Sequence, residues 1–207
     1  VGLYYSNHLG HYKIPDGIKK EICVDIGANS GCFTELANKI FTKVHSYEPN
    51  KFLNESIKNK NYTNVTVFNE AVGNENKKNV RLMSHTNNDA GSCALEDAID
   101  NVIELKNHWC NTVIDVVDMV DIETVIERAG GFIDYLKVDC ENSEFLIFNN
   151  KNLSKISFIA IELHHHMGKK NWDILKNHIE KTHSGFPEYP GDDSINIECL
   201  LINKKYE

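Results

Sequence analysis

The chain has 207 residues, 41% hydrophobic and 25% charged, with 12 Gly and only 4 Pro, which excludes a collagen, a low-complexity linker and a disordered tail. Its formal net charge of -8 argues against a nucleic-acid partner, because proteins that neutralise a phosphate backbone are usually basic. That length suits one domain burying roughly 70% of the surface of its unfolded chain, and no apolar run approaches the roughly 18 residues of a membrane span, so no membrane partner is expected.

Val1 is not an initiator Met and opens no basic-then-apolar signal pattern. The expectation is a single domain over residues 1–207, either processed or cut from something longer. Glu21 to Ile26 (EICVDI) reads as a buried strand, followed by a glycine-containing turn and a helix over about Phe33 to Phe41. Lys43 to Tyr47 is a second strand, the helix Lys51 to Lys58 follows Pro49, and Val65 to Phe68 is a third strand. A long segment then departs from this alternation. Val80 to Ser84 suggests an extra strand, His85 to Ser92 a polar loop and Thr112 to Val117 another strand. Asp121 to Ala129 reads as a helix with Asp121 at its N-cap and Gly130-Gly131 ending it. The insertion is either a structural elaboration or a cover over the substrate. Phe132 to Val138 is the fourth strand and Ile156 to Leu163 the fifth. A helix from about Trp172 to Lys181, the breaker-rich stretch Gly185 to Asp193 and a last strand, Ile195 to Ile202, complete the chain. Short apolar runs alternating with helix-length segments predict an α/β fold with a mostly parallel sheet flanked by helices.

The six cysteines form no C-x-x-C pair and no zinc-like spacing. Cys23 and Cys199 sit inside apolar runs, where a free thiol behaves as a small hydrophobe, so a reducing cytoplasm is expected. Lys and Asn are over-used while Arg occurs only at Arg81 and Arg128, a bias that reads as an A/T-rich genome rather than as chemistry.

Val24 to Thr34 (VDIGANSGCFT) follows the first strand directly and opens the first helix. Gly27 and Gly31 permit tight turning and close backbone approach to a ligand, and the helix N-terminus offers N–H groups to a carboxylate. Asp25, at the strand's end, is placed to receive an ammonium group. The first glycine of the G-x-G-x-x-G pyrophosphate turn is absent, which disfavours a dinucleotide. The second strand ends in SYEPN, placing Glu48 where an acidic residue would chelate the two hydroxyls of a ribose. FNEAVGN puts Asn69, Glu70 and Ala71 at the next strand tip, where an adenine would lie.

VDIGANSGCFT, YEPN, NEAVGN, YLKVDCENSEF and IAIELH, in that order from about Glu21 to His164, resemble the FkbM family of S-adenosylmethionine-dependent O-methyltransferases. The resemblance implies a Rossmann-like class I methyltransferase fold with a mostly parallel seven-stranded sheet. It also implies that Asp25, Gly27, Ala28, Asn29, Gly31, Glu48 and Pro49 bind S-adenosyl-L-methionine, with Glu70 and Ala71 flanking its adenine. The family's usual acidic-Gly-x-Glu segment is Glu141-Asn142-Ser143-Glu144 here, with Asn142 in place of the glycine. The implied activity is O-methylation of a sugar or glycoconjugate hydroxyl; the alternatives are a small polyketide or phenolic acceptor, and a non-catalytic adenosyl-binding module of a larger protein. For an excised domain, glycosyltransferase domains are the expected neighbours.

Methyl transfer needs an acceptor oxygen held in line with the donor and relieved of its proton. Tyr135, Lys137 and Asp139 alternate onto one face of the fourth strand, and Phe158, Ala160, Glu162 and His164 onto one face of the fifth. If those faces share a cleft, Asp139, Glu162 and His164 converge as the catalytic group. His164 or Asp139 then acts as general base with Glu162 orienting it, or the three hold a divalent cation. The alternative is that Asp139 and Glu162 merely pair with Lys137 and Lys169. His164, His165 and His166 cannot all bind one ion, because consecutive strand residues face opposite ways, which leaves His165 structural or exposed. Lys137, in an apolar strand, needs an anion, with Asp139 or Glu141 nearest in sequence. Trp109 and Trp172 are either core or platforms for a sugar ring.

Overall fold

The computed structural model describes residues 12–85, 93–95, 112–140, 143–164, 168–191 and 196–207. The chain runs β1 (Ile22–Ile26), α1 (Cys32–Asn38), β2 (Lys43–Tyr47), α2 (Lys51–Lys58), β3 (Val65–Phe68), β4 (Glu70–Gly73), β5 (Lys77–His85), β6 (Cys93–Leu95) and β7 (Thr112–Asp121). It continues through α3 (Ile122–Arg128), β8 (Ile133–Val138), α4 (Glu144–Phe148), β9 (Ile156–Leu163), α5 (Gly168–Ile179), β10 (His183–Ser184) and β11 (Ile197–Asn203).

Seven strands form one sheet in the order β10-β11-β9-β8-β1-β2-β3. β1 is parallel to β2 and β8, β2 to β3, and β8 to β9. β11 alone runs backwards, antiparallel to both β9 and β10. The expected mostly parallel, seven-stranded α/β sheet is therefore present. All residues of β1 and β8 are buried, as expected of parallel strands covered on both faces. On one face, Val24, Leu136, Ile159 and Ile161 pack beneath Val125, Phe148, Trp172 and Leu175 of α3, α4 and α5. On the other, Cys23, Val44, Tyr135 and Ala160 pack beneath Tyr12 and the α1 residues Phe33 and Ala37. The strand order reverses between β1 and β8, and the carboxyl ends flanking such a switch form a crevice in open α/β sheets.

The segment between β3 and β8 builds a second sheet, ordered β4-β7-β5-β6, with its own core of Ala71, Val80, Leu82, Val117 and Met119. Both strands expected there are present and longer than their sequence signals. The Asp121 side chain accepts from the Thr124 amide and so caps α3, and the Gly131 amide donates back to Ile126 at 2.8 Å to close it. α5 begins at Gly168, a turn before the expected start at Trp172. Among the described residues, no helix is long and apolar enough to cross a membrane.

Candidate active site

The turn after β1 is shaped by three residues with positive φ: Gly27 (74°), Asn29 (50°) and Gly31 (80°). The Gly27 and Ala28 amides both donate to the Tyr47 carbonyl, at 3.0 and 3.1 Å, so the turn is fastened to the end of β2. A Cβ at Gly27 would lie 1.8 Å from the Asp139 carbonyl oxygen. Only glycine lets the β1 turn lie against the tip of β8. At Gly31 the nearest atom would be Ile57 Cγ1, 2.8 Å away.

Glu48 follows β2 and is 4% exposed. Its two carboxylate oxygens accept the Asn29 amide at 2.7 Å and the Asn50 amide at 2.8 Å. Burial pushes its carboxyl up to about 7, against the opposing pull of those two amides. Asn69 donates to the Glu48 and Pro49 carbonyls at 3.0 and 2.7 Å, tying the end of β3 to that of β2. Gly27, Ala28, Asn29, Glu48 and Pro49 thus form one hydrogen-bonded cradle.

Two residues expected beside an adenine have other partners. Glu70 makes a bidentate ion pair with Arg128, whose guanidinium lies 5.1 Å above the Phe68 ring. The Ala71 side chain is buried in the second sheet's core. Asp25 is likewise fully buried. One of its oxygens accepts the Thr34 hydroxyl at 2.6 Å, and the other lies 3.4 Å from Lys137 Nζ. The ammonium it receives belongs to the chain itself.

Lys137 lies opposite Asp25 in the β1–β8 register and is 4% exposed. Its ammonium donates to the Gly27 carbonyl at 2.7 Å and lies 3.7 Å from Asp139 Oδ2. Burial opposes its charge, but Asp25 and Asp139 outweigh burial and hold its pKa above the usual lysine value. Of the two anions expected for Lys137, Asp139 is present, and Asp25 is a second that the sequence did not suggest.

Asp139, Glu162 and His164 do converge: one ligand atom from each lies within 4.8 Å of the others. His164 is 3% exposed, and its Nδ1 lies 2.9 Å from Glu144 Oε1. Glu144 Oε1 also accepts the Cys140 amide at 3.2 Å, so we assign the Nδ1 proton to the imidazole as donor. The carboxylate orienting His164 is therefore Glu144, not Glu162 as the alternation suggested. Glu162 accepts from Asn196 Nδ2 at 2.9 Å. Burial, then the facing charge of Asp139, raise its pKa. Lys169 pairs with Asp173 at 2.6 Å rather than with Glu162. Tyr12 donates to Asp139 Oδ2 at 3.2 Å; burial and that carboxylate raise the phenol's pKa, keeping it protonated as a donor.

Trp172 is fully buried core and not a platform. Glu141, Asn142, His165, His166 and Trp109 lie outside the described residues. Tyr12 and Asn196 carried no sequence signal; Glu144 was visible as an acid after the fourth strand, but its partner was not.

A doubly wound sheet with a glycine turn at the β1–β8 switch point and an acidic residue at the tip of β2 is the architecture of open α/β folds, whose ligands lie at the carboxyl ends of the strands. The Methyltransferase FkbM domain model matches residues 25–189, and the chain belongs to that methyltransferase family. No curated protein matches it. Among solved structures it is similar to a methyltransferase FkbM from Methylobacillus flagellatus KT, at 18% identity and a TM-score of 0.49, covering 88% of this chain and 43% of that one. This chain thus spans less than half of that protein's length. A Streptococcus thermophilus rRNA methylase aligns at 10% identity with a TM-score of 0.44, covering 95% of each chain. A precorrin-6y C5,15-methyltransferase from Geobacter metallireducens GS-15 aligns at 11% with a TM-score of 0.41, covering 97% of this chain and 88% of that one.

Proposed function

We propose that this chain is an S-adenosylmethionine-dependent O-methyltransferase acting on a hydroxyl of a sugar or glycoconjugate. The observation that carries the reading is the convergence of Asp139, Glu162 and His164 beside the Gly27 turn, which touches the Asp139 backbone. The residues fit the donor. Each Glu48 oxygen accepts one amide and keeps a lone pair for a ribose hydroxyl. When bound, S-adenosylmethionine supplies a methyl group on a positively charged sulfur, which becomes a neutral thioether once the methyl has moved to the acceptor oxygen.

The chain's own groups position the acceptor and take its proton. The acceptor O–H donates into the Asp139–Glu162–His164 cluster, and as the O–C bond forms the proton passes to a carboxylate there and then to water. The surroundings of the cluster are polar: Tyr12 and Asn196 contribute donors and Glu198 faces Glu162 across the strand pair. That environment suits a polyhydroxylated acceptor better than an apolar polyketide or phenol. A merely adenosyl-binding module has no need of such a cluster.

The test is calorimetric titration with S-adenosylhomocysteine, followed by a screen of sugars for transfer of a labelled methyl group. Micromolar binding and a methylated sugar are expected. Absence of heat at high ligand concentration, or tighter binding of NAD, would overturn the donor assignment. Labelling of phenolic acceptors alone would overturn the sugar.

A further inference from the structure

We infer that Asp139, Glu162 and His164 form a binding site for one divalent cation, held in place by Tyr12, Asn196 and Glu144. The first ground is that acceptors face acceptors. Two carboxylates and an imidazole bring one ligand atom each to within 4.8 Å of one another, and Glu144 engages the Nδ1 proton of that imidazole. Three lone-pair groups pointed together repel unless something electropositive lies among them. Among the described residues Lys137 is the nearby ammonium, but it is divided between Asp25 at 3.4 Å and Asp139 at 3.7 Å and donates to the Gly27 carbonyl. Glu198 lies opposite Glu162 in the register, a third carboxylate at this end of the strand pair.

The second ground is independent of the first. Metal-binding histidines almost always donate their other ring N–H to a carboxylate or carbonyl, and ligating carboxylates are themselves hydrogen-bonded. Each of the three residues here has such a partner: Glu144 at 2.9 Å from His164 Nδ1, Tyr12 at 3.2 Å from Asp139 Oδ2, and Asn196 at 2.9 Å from Glu162 Oε1. Glu144 is fully buried, a cost that binding a ring held against a cation would offset. In an octahedral site with bonds of about 2.1 Å, neighbouring ligand atoms sit about 3 Å apart and opposite ones about 4.2 Å. The atoms lie within 4.8 Å of one another, up to about 1.8 Å looser than neighbouring octahedral positions, a gap that side-chain rotation must close.

Two carboxylates and one imidazole suit Mg²⁺ or Mn²⁺ rather than a thiolate-seeking metal. The ion's role rests on the methyl-transfer reading: it would coordinate the acceptor oxygen beside the Gly27 turn, lower its pKa, and favour neighbouring hydroxyls that close a chelate. Its binding does not rest on that reading.

The experiment titrates Mn²⁺ into the full chain without any donor and reads free Mn²⁺ by electron paramagnetic resonance. One Mn²⁺ per chain, displaced by Mg²⁺, is expected. Glu162→Gln and Asp139→Asn should each weaken Mn²⁺ binding at least tenfold, and Glu144→Gln by roughly 10–100-fold. Glu48→Gln should keep it within about twofold. Thermal melts verify that each variant is folded. No binding at millimolar Mn²⁺, or unchanged binding in a folded Glu162→Gln chain, overturns the site. S-adenosylhomocysteine titrated into the same sample separates the two readings: Mn²⁺ bound without it leaves the cation site standing and methyl transfer rejected, and the converse result does the opposite.

Discussion

Glu48 combines near-complete burial with two backbone amides on its carboxylate, and its pKa is raised to about 7, chiefly by burial. On the proposed donor assignment, ribose hydroxyls would donate to the ionised form, so donor binding would expel a proton and should tighten as pH rises through 7. Titration of S-adenosylhomocysteine at pH 6 and 8 is expected to show roughly tenfold stronger binding at the higher pH, a difference that Glu48→Gln should abolish. In the ligand-free chain the sign reverses. Above the ordinary carboxyl range and up to about 7 the folded state holds a proton that the unfolded state has released, so this group's contribution to stability falls as pH rises through that window. Glu48→Ala should weaken donor binding by about 1.5–3 kcal/mol, since it removes a charged acceptor. At Gly27 the limit is steric: a Cβ 1.8 Å from the Asp139 carbonyl at a φ of +74° should make Gly27→Ala lose on the order of 4 kcal/mol or more in urea denaturation. Gly27 was legible in sequence because a turn's needs are written in adjacent residues, and Glu48 because it directly follows the run that forms β2. Tyr12 was not, because its bond to Asp139 spans 127 positions and depends on how the sheet brings the chain back.

At the scale of elements, the parallel strands announced themselves as short apolar runs, and the fully buried β1 and β8 are the clearest instances. β4 is the instructive omission. Glu70 to Gly73 is too short to show a period, and its pairing is set by β7, with Glu70 opposite Asp118 and Gly73 opposite Asp121, a register that no local pattern encodes. The same distance effect hid the Glu70–Arg128 pair. Helix α5 is anchored by Trp172, fully buried between Phe186 and Tyr189, with its indole N–H donating to the Pro187 carbonyl at 3.2 Å. Trp172→Ala should therefore cost about 3–5 kcal/mol in chemical denaturation, from lost transfer and cavity terms. Because α5 lies over the sheet face opposite α1, donor affinity in the still-folded fraction should change little.

For the molecule as a whole, a ligand that binds only the folded state stabilises it by mass action. S-adenosylhomocysteine at a hundredfold excess over its Kd should add about 2.7 kcal/mol. For a chain of this length that corresponds to roughly 5–11 °C in Tm. NAD at the same concentration should leave the melt unchanged, because the turn lacks the first glycine of the pyrophosphate motif. A scan in which NAD shifts Tm as far as S-adenosylhomocysteine does would contradict the donor assignment.

Lys137 has a consequence for how such a protein changes over generations. Its ammonium serves Asp25 on β1 and Asp139 at the end of β8 together and donates to the Gly27 carbonyl as well. On the proposed reading, a lineage that replaces Asp139 to admit a new acceptor also alters the charge balance at Asp25, beneath the turn after β1. A first substitution there should therefore be tolerated better when a second change, at Lys137 or Asp25, accompanies it. Positions wired through one shared cation drift as a set, so inherited diversity in acceptor preference should accumulate first outside this trio, where one replacement can succeed alone.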